Sequence, residues 1–272
     1  MFREIGRLEE SERAICESIE FYSKSTENSI ELANSLSNLG STLSRRGDLQ
    51  GALLYELQAI SILEGECSPL DPQLSWAYCT VAQIYRFLGD YGNALKFGLK
   101  DLGISETILP PDHPELATTY QNLADLYKSL KMYGKSFDFA KKALAIRERI
   151  HNNPHIDLAS AYNSIGCILA EMGKYRQANE YECKAVKILE QLNPRDEEGI
   201  AIIYFSLVTI SLPLKDLRSG KEYLQKAVGI VSKNLSLFKP DFINSLKDVQ
   251  KVIDEAYTML RKTDWKKHGF RL

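Results

Sequence analysis

Long apolar runs are missing from this chain. No stretch approaches the 18 or more residues that a membrane span requires. The longest candidate, Gly199 to Leu214, is broken by Ser206, Thr209, Ser211 and Pro213. The opening MFREIGRLEE has no apolar core of a secretory signal and is acidic by Glu4. Charge of one sign is also missing. The net charge of −2 leaves no broad basic field for nucleic acid. The five cysteines (Cys16, Cys67, Cys79, Cys167, Cys183) are odd in number and lack CxxC spacing, so neither a disulfide framework nor a zinc knuckle is indicated. They read as small buried residues in a reducing compartment. No phosphate-binding loop, nucleophile elbow or HExxH stretch occurs. Of the four histidines, His151 and His155 have the i,i+4 spacing of a helical metal pair, but Pro154 lies between them and the stretch reads as a loop. These absences lead to the expectation of a soluble, cytoplasmic, non-enzymatic chain with no cofactor and no metal.

What is present is a period. Ala33, Ser75, Ala117, Ala159 and Ala201 recur every 42 residues as one column of small side chains. Leu36, Tyr78, Tyr120, Tyr162 and Tyr204 form a second column. Leu39, Val81, Leu123, Ile165 and Leu207 form a third, and Ile62, Ile104, Ile146, Ile188 and Ile230 a fourth. A fixed period of this length marks a stacked repeat protein, in which each unit buries its apolar face against its neighbours. A 44% apolar composition supplies enough surface for such a stack.

Within a unit, apolar positions such as Ala33, Leu36, Leu39 and Leu43 have helical spacing. This predicts first helices at about 29–46, 72–88, 114–130, 156–172 and 199–212. Breaks follow at Gly47–Asp48, Gly89–Asp90, Lys131–Met132, Gly173–Lys174 and Lys215–Asp216, where a left-handed residue can close a helix. Second helices then run to about Leu63, Glu106, Glu148, Leu189 and Val231. They are marked by a small residue (Ala52, Ala94, Ser136, Ala178, Gly220) and an aromatic three places later (Tyr55, Phe97, Phe139, Tyr181, Tyr223). Prolines at 69, 72, 110, 111, 114, 154 and 194 stop one helix and start the next. His113 and His155 share a column with Asp71 at unit starts, so their recurrence reads as architectural. Gly40 and Gly166 read as packing residues.

Stretches such as NLGSTLSRRGDLQGALLYELQAI and NSIGCILAEMGKYRQANEYECKAV resemble tetratricopeptide repeats, in the 42-residue form of kinesin light chains, with His113–Tyr127 closest to that subtype. The fifth unit departs most, with Val208 in the small column and Pro213 shortening its first helix. The resemblance implies an all-α protein: a right-handed α-solenoid of about five helix hairpins with an N-terminal and a C-terminal capping helix. The expected division is 1–28 for an N-terminal half repeat, 29–235 for five units, 236–262 for a C-terminal capping helix and 263–272 for a basic tail. Apolar residues at Ile5, Leu8, Ile15, Ile19 and Tyr22 give the first helix a stripe that packs on the first repeat. A second stripe there would permit a homo-oligomer.

The family lines a concave groove with the non-core positions of its first helices. By resemblance, those positions include Asn38, Ser41 and Arg45 in unit one, and Trp76, Gln83 and Arg86 in unit two. Unit three supplies Gln121, Asn122, Asp125 and Lys128, and unit four Asn163 and Cys167. Amides at Asn38, Gln121, Asn122 and Asn163 can both donate to and accept from an extended peptide backbone. Arg45, Arg86 and Lys128 form a rim suited to an acidic side chain, and Trp76 an aromatic anchor. Chaperone-tail clamps carry a lysine–asparagine pair where this chain has Ser37 and Ser41. The expectation is an adaptor or scaffold that holds a peptide segment of a protein partner, with no nucleic acid and no membrane span. The alternative is a regulatory, sensor or oligomerisation module of a larger signalling or motor complex.

Overall fold

The computed structural model describes residues 13–24, 28–192 and 197–262. The expected helix before residue 13, Pro194 and the basic tail from residue 263 lie outside the described residues. Two compact units are formed, Met1–Met132 and Tyr133–Leu272. The first contains α1 (residues 13–22), α2 (Ser29–Arg46), α3 (Leu49–Glu66), α4 (Pro72–Phe87), α5 (Tyr91–Ile108) and α6 (Pro114–Ser129). The second contains α7 (Tyr133–Ile150), α8 (Ile156–Glu171), α9 (Tyr175–Leu192), α10 (Glu197–Ser211) and α11 (Leu217–Lys233). A 3-10 turn at Leu235–Leu237 leads to α12 (Pro240–Lys262). The architecture is an all-α solenoid of helix hairpins. The second helices end two to three residues beyond the expected Leu63, Glu106, Glu148, Leu189 and Val231, at Glu66, Ile108, Ile150, Leu192 and Lys233. A helix needs no buried side chain in its final turn, so the repeating columns do not mark its last residues.

The caps follow the period. Asp71, His113 and His155 each stand before a first helix. Each accepts a hydrogen bond from the backbone N–H two residues on, at 2.8 Å (Gln73), 3.3 Å (Glu115) and 3.2 Å (Asp157). The shared column of Asp71 and the histidines is thus an N-cap column, in which a side-chain acceptor satisfies an orphan helical N–H. Asp48, Asp90 and Asp216 do the same for α3, α5 and α11. At the other helix ends, a residue of positive φ closes each hairpin turn: Gly47 (91°), Gly89 (80°), Lys131 (58°), Gly173 (73°) and Lys215 (56°). A lysine side chain is crowded in this left-handed conformation and a glycine is not.

The small columns are buried where helices cross. Ala33, Ala117, Ala159 and Ala201 are at most 1% exposed, and so are Ala52, Ala94, Ser136 and Ala178. The tyrosine column contributes more than apolar area. Tyr120 donates its hydroxyl to Glu106 at 2.8 Å, Tyr162 to Glu148 at 2.6 Å, Tyr78 to Glu64 at 2.6 Å, and Tyr204 to Glu190. In three of these clusters the tyrosine ring lies about 6 Å from the second-helix aromatic of its own hairpin (Phe97, Tyr181, Tyr223). Lys100, Lys184 and Lys226 lie over the Tyr78, Tyr162 and Tyr204 rings at 4.6, 5.4 and 5.2 Å. Each contact is modest alone. Their recurrence every 42 residues ties each first helix to the second helix before it.

The end helices are covered by their neighbours. Ile15 and Ile19 pack with Leu39, Leu43 and Ala52, and Ser18 and Ser35 share a hydrogen bond of 2.9 Å. Leu246 and Ile253 of α12 are buried in the core of the second unit, with Phe242, Ile243 and Val249 half-buried beside them. Relief of the left-handed lysines gives a direct expectation. Lys131→Gly and Lys215→Gly should each raise the free energy of unfolding by about 0.5–1 kcal/mol, read from urea denaturation midpoints. Unchanged or lowered midpoints would refute the assignment of strain at these turns.

Candidate functional site

Three helices of the first unit, α4, α5 and α6, frame two adjoining clefts. The smaller, of about 10 Å³, has room for about one water. It is lined by Cys79, Gln83 and Arg86 from α4, Gly98 and Asp101 from α5, and Thr119 and Asn122 from α6. The larger, of about 540 Å³, is lined by Ser75, Trp76 and Cys79, by Asp101, Ser105, Ile108 and Leu109, and by Glu115, Thr118 and Thr119. Gly98 permits the narrow end: a Cβ there would lie 3.1 Å from Leu123 Cδ2.

Asp101 is the shared floor of both clefts and only 4% exposed. Ser75 donates to its Oδ1 at 2.5 Å, Ser105 to the same oxygen at 3.1 Å, and Thr119 to Oδ2 at 3.2 Å. Burial pushes its carboxyl above the usual aspartate range, against the pull of the three hydroxyls, and the like charge of Glu115 adds to the rise. At the mouth, Trp76 is 55% exposed. Cys79 accepts from Gln83 at 3.6 Å and from Asn122 at 3.4 Å. Burial raises its thiol to about 11, so it stands as a neutral, unreactive thiol at neutral pH.

Of the sequence-predicted residues, Trp76, Gln83, Arg86 and Asn122 come together around these clefts. Asn38 and Arg45 are exposed on α2 and Ser41 is half-buried there. Gln121 donates to Asp125 at 3.4 Å, and Lys128 lies 3.9 Å from the same carboxylate. Arg86 stacks over Phe87 at 4.6 Å. Sequence reasoning missed Asp101, Ser105 and Glu115. A signal existed for Asp101, since the other repeats carry alanine in its column, at 59, 143, 185 and 227.

Asn163 and Cys167, in the second unit, surround the buried carboxylate of Glu182. With its amide nitrogen turned toward it, Asn163 donates to Oε2 at 2.9 Å and Oε1 at 3.1 Å. Cys167 donates at 3.6 Å and Ser206 at 2.9 Å. Glu182 fills the space beside Gly166, where an added Cβ would lie 2.8 Å from its Cγ. In the first unit, Glu56 repeats this beside Gly40 at 2.9 Å, with Ser37 donating at 3.0 Å. His151 and His155 lie in the loop between α7 and α8, as expected. The turn folds back so that their rings stack at 3.8 Å with an interplanar angle of 10°. Asp157 Oδ2 lies 3.5 Å from His151 Nε2 and 3.4 Å from His155 Nδ1. One ligand atom from each of His151, His155 and Asp157 lies within 4.8 Å of the others, and His155 Nδ1 also serves as the cap of α8.

The buried glutamates set a pH dependence. Burial pushes Glu182 up to about 8 and Glu56 up to about 7, from an ordinary 4.5. Between the unfolded and folded values the native chain keeps a proton that the unfolded chain has released, so stability falls as pH rises through that window. Glu182→Gln should remove on the order of 3 kcal/mol of the decline between pH 5 and 8.5, measured by urea titrations at both values. A variant with the wild-type slope would overturn this reading of Glu182.

Comparison with known proteins follows the same period. Sequence models of the tetratricopeptide repeat match residues 32–67, 73–149 and 129–191. No curated protein sequence matches the chain significantly. Among solved structures, BtubC (BKLC) from P. vanneervenii aligns over 86% of this chain and 94% of its own, with TM-score 0.72 and 20% identity. The nearly identical TPR-like repeats of a Podosopora anserina protein described as a kinesin light chain align over 74% and 95%, with TM-score 0.65 and 16% identity. Aspartyl phosphate phosphatase F from Bacillus subtilis aligns over 89% and 63%, with TM-score 0.70 and 14% identity. At these identities the likeness is one of fold.

Proposed function

The chain belongs to the tetratricopeptide-repeat family, and from that premise we propose that it is a protein-interaction adaptor holding an extended peptide segment of a partner in the cleft between α4, α5 and α6. The observation that carries this reading is the cleft itself. It offers about 540 Å³ with a half-exposed indole at its mouth and hydroxyl and carboxylate groups at its floor. That size and that mix of one aromatic anchor with a few convergent polar groups suit a side chain and its flanking backbone. The amides of Gln83 and Asn122 stand beside it, bonded to a weakly accepting thiol sulfur. A peptide carbonyl is a stronger acceptor, so exchanging partners favours the guest.

Selection from a displayed random peptide library tests this. Peptides enriched on the wild type should bind Trp76→Ala and Arg86→Glu at least tenfold more weakly. Trp76 is exposed and Arg86 half-buried, and neither belongs to the core, so the free energy of unfolding should move by less than about 1 kcal/mol. Failure to enrich any peptide, or affinities untouched by both variants, would refute the reading.

A second reading, assembly through α1, draws support from Phe21, which is 68% exposed and holds an edge-on contact with Tyr22 at 5.3 Å. It expects a dimer in sedimentation equilibrium that Phe21→Ser dissociates. A monomeric wild type would exclude it.

A further inference from the structure

The cleft between α4, α5 and α6 has a chemical bias that the expected basic rim does not share. Its larger part is lined by two carboxylates, Asp101 and Glu115, and by no lysine or arginine. Among the described residues, no cation lies within 4.0 Å of the Asp101 carboxylate, and hydroxyls alone meet it. A buried carboxylate without a counter-charge is costly. Four other repeats avoid that cost with alanine, at 59, 143, 185 and 227. The one repeat that bears it does so at the floor of the 540 Å³ cleft, under an exposed tryptophan.

Packing does not require this aspartate. Alanine fills the same column in four hairpins, each time 3% exposed or less where it is described as core: Ala59, Ala143, Ala185 and Ala227 are all at 0%. Its three hydroxyl donors belong to three different helical positions, Ser75 on α4, Ser105 on α5 and Thr119 on α6, so the carboxylate is held in place from every side of the cleft. Three donors occupy three of the roughly four acceptor positions of a carboxylate. We propose that the cleft is a receptor for an arginine side chain of the bound peptide, its guanidinium directed at Asp101 and Glu115 and its plane laid against Trp76. The guanidinium is the cation that fits: it is planar, weakly hydrated, able to stack on an indole, and its several N–H groups can reach the one free position of Asp101 and the Glu115 carboxylate at once. A lysine ammonium is a compact, strongly hydrated point charge and uses neither the flat wall nor the fork.

The inference rests on the peptide-cleft reading above and names the residue that the cleft selects. The probe is Nα-acetyl-arginine amide, followed through the indole N–H signal of Trp76 in two-dimensional NMR. The chain has two tryptophans, and Trp76→Phe assigns the signal. The arginine amide should shift it saturably, and the citrulline amide, of the same shape without charge, at least tenfold more weakly. Asp101→Ala should abolish the response while raising the thermal midpoint, because it installs the residue of the other four repeats. Trp76→Ala, read by calorimetry, should weaken binding severalfold with the fold intact. Equal responses to arginine and citrulline, arginine binding retained in Asp101→Ala, or equal affinity for Nα-acetyl-lysine amide would each overturn the proposal. Library peptides that bind without arginine enrichment would overturn this inference and leave the peptide reading standing. Arginine amide that binds through Asp101 while no library peptide is enriched would do the reverse.

Discussion

One constraint governs the molecule: a two-helix hairpin of about 40 residues cannot bury both of its apolar faces by itself. Each hairpin therefore lends one face to its neighbour, and the chain must repeat the same surface at the same interval. Close helix crossing makes this work. Small side chains at 33, 117, 159 and 201, and at 52, 94, 136 and 178, are essentially inaccessible. Larger ones at those points would hold the helices apart and open voids along the stack. The hydroxyl of each repeat tyrosine then meets a glutamate on the preceding second helix, which gives an otherwise slippery apolar contact a fixed register.

The pair of side chains that meets inside a hairpin changes in size from repeat to repeat. The position facing the second helix is Gly40, Ala82, Gly166 or Val208, and its counterpart 16 residues on is Glu56, Gly98, Glu182 or Leu224. Both glutamates lie against a glycine, whose absent Cβ makes room for their methylenes. Where alanine replaces that glycine at 82, the counterpart shrinks to Gly98, and the narrow end of the cleft follows from that exchange. The functional candidate thus grows out of a pair of positions that other repeats fill with larger side chains. One repeat has less side-chain volume at Gly98 and a charge at Asp101, and there the surface opens into a cleft.

Much of this could be read without coordinates. The period, the hairpins, the helix starts, the left-handed turns and the cap column all depend on residues close in sequence, whose spacing directly reports which side of a helix they occupy. The site was legible only in part. Trp76 lines the larger of the two adjoining clefts, and Gln83, Arg86 and Asn122 the smaller. Asn163 and Cys167 lie on the expected helix, yet they turn toward Glu182. The family resemblance placed them in the groove. A buried acid 15 to 19 residues further along offered them a stronger partner than water.

The sequence by itself determined that this is a helical repeat protein, where the repeat helices begin and end to within a few residues, and which columns are buried, because those properties follow from local propensity and a fixed interval. Only the tertiary structure decided that Asp101 would lie under Ser75, Ser105 and Thr119, that two histidines across a proline would stack, and that the larger cleft would be negative rather than basic. Those outcomes depend on distances between side chains from different helices. An interval fixes which face a residue occupies, but not how far away the facing side chain is or which partner it will choose.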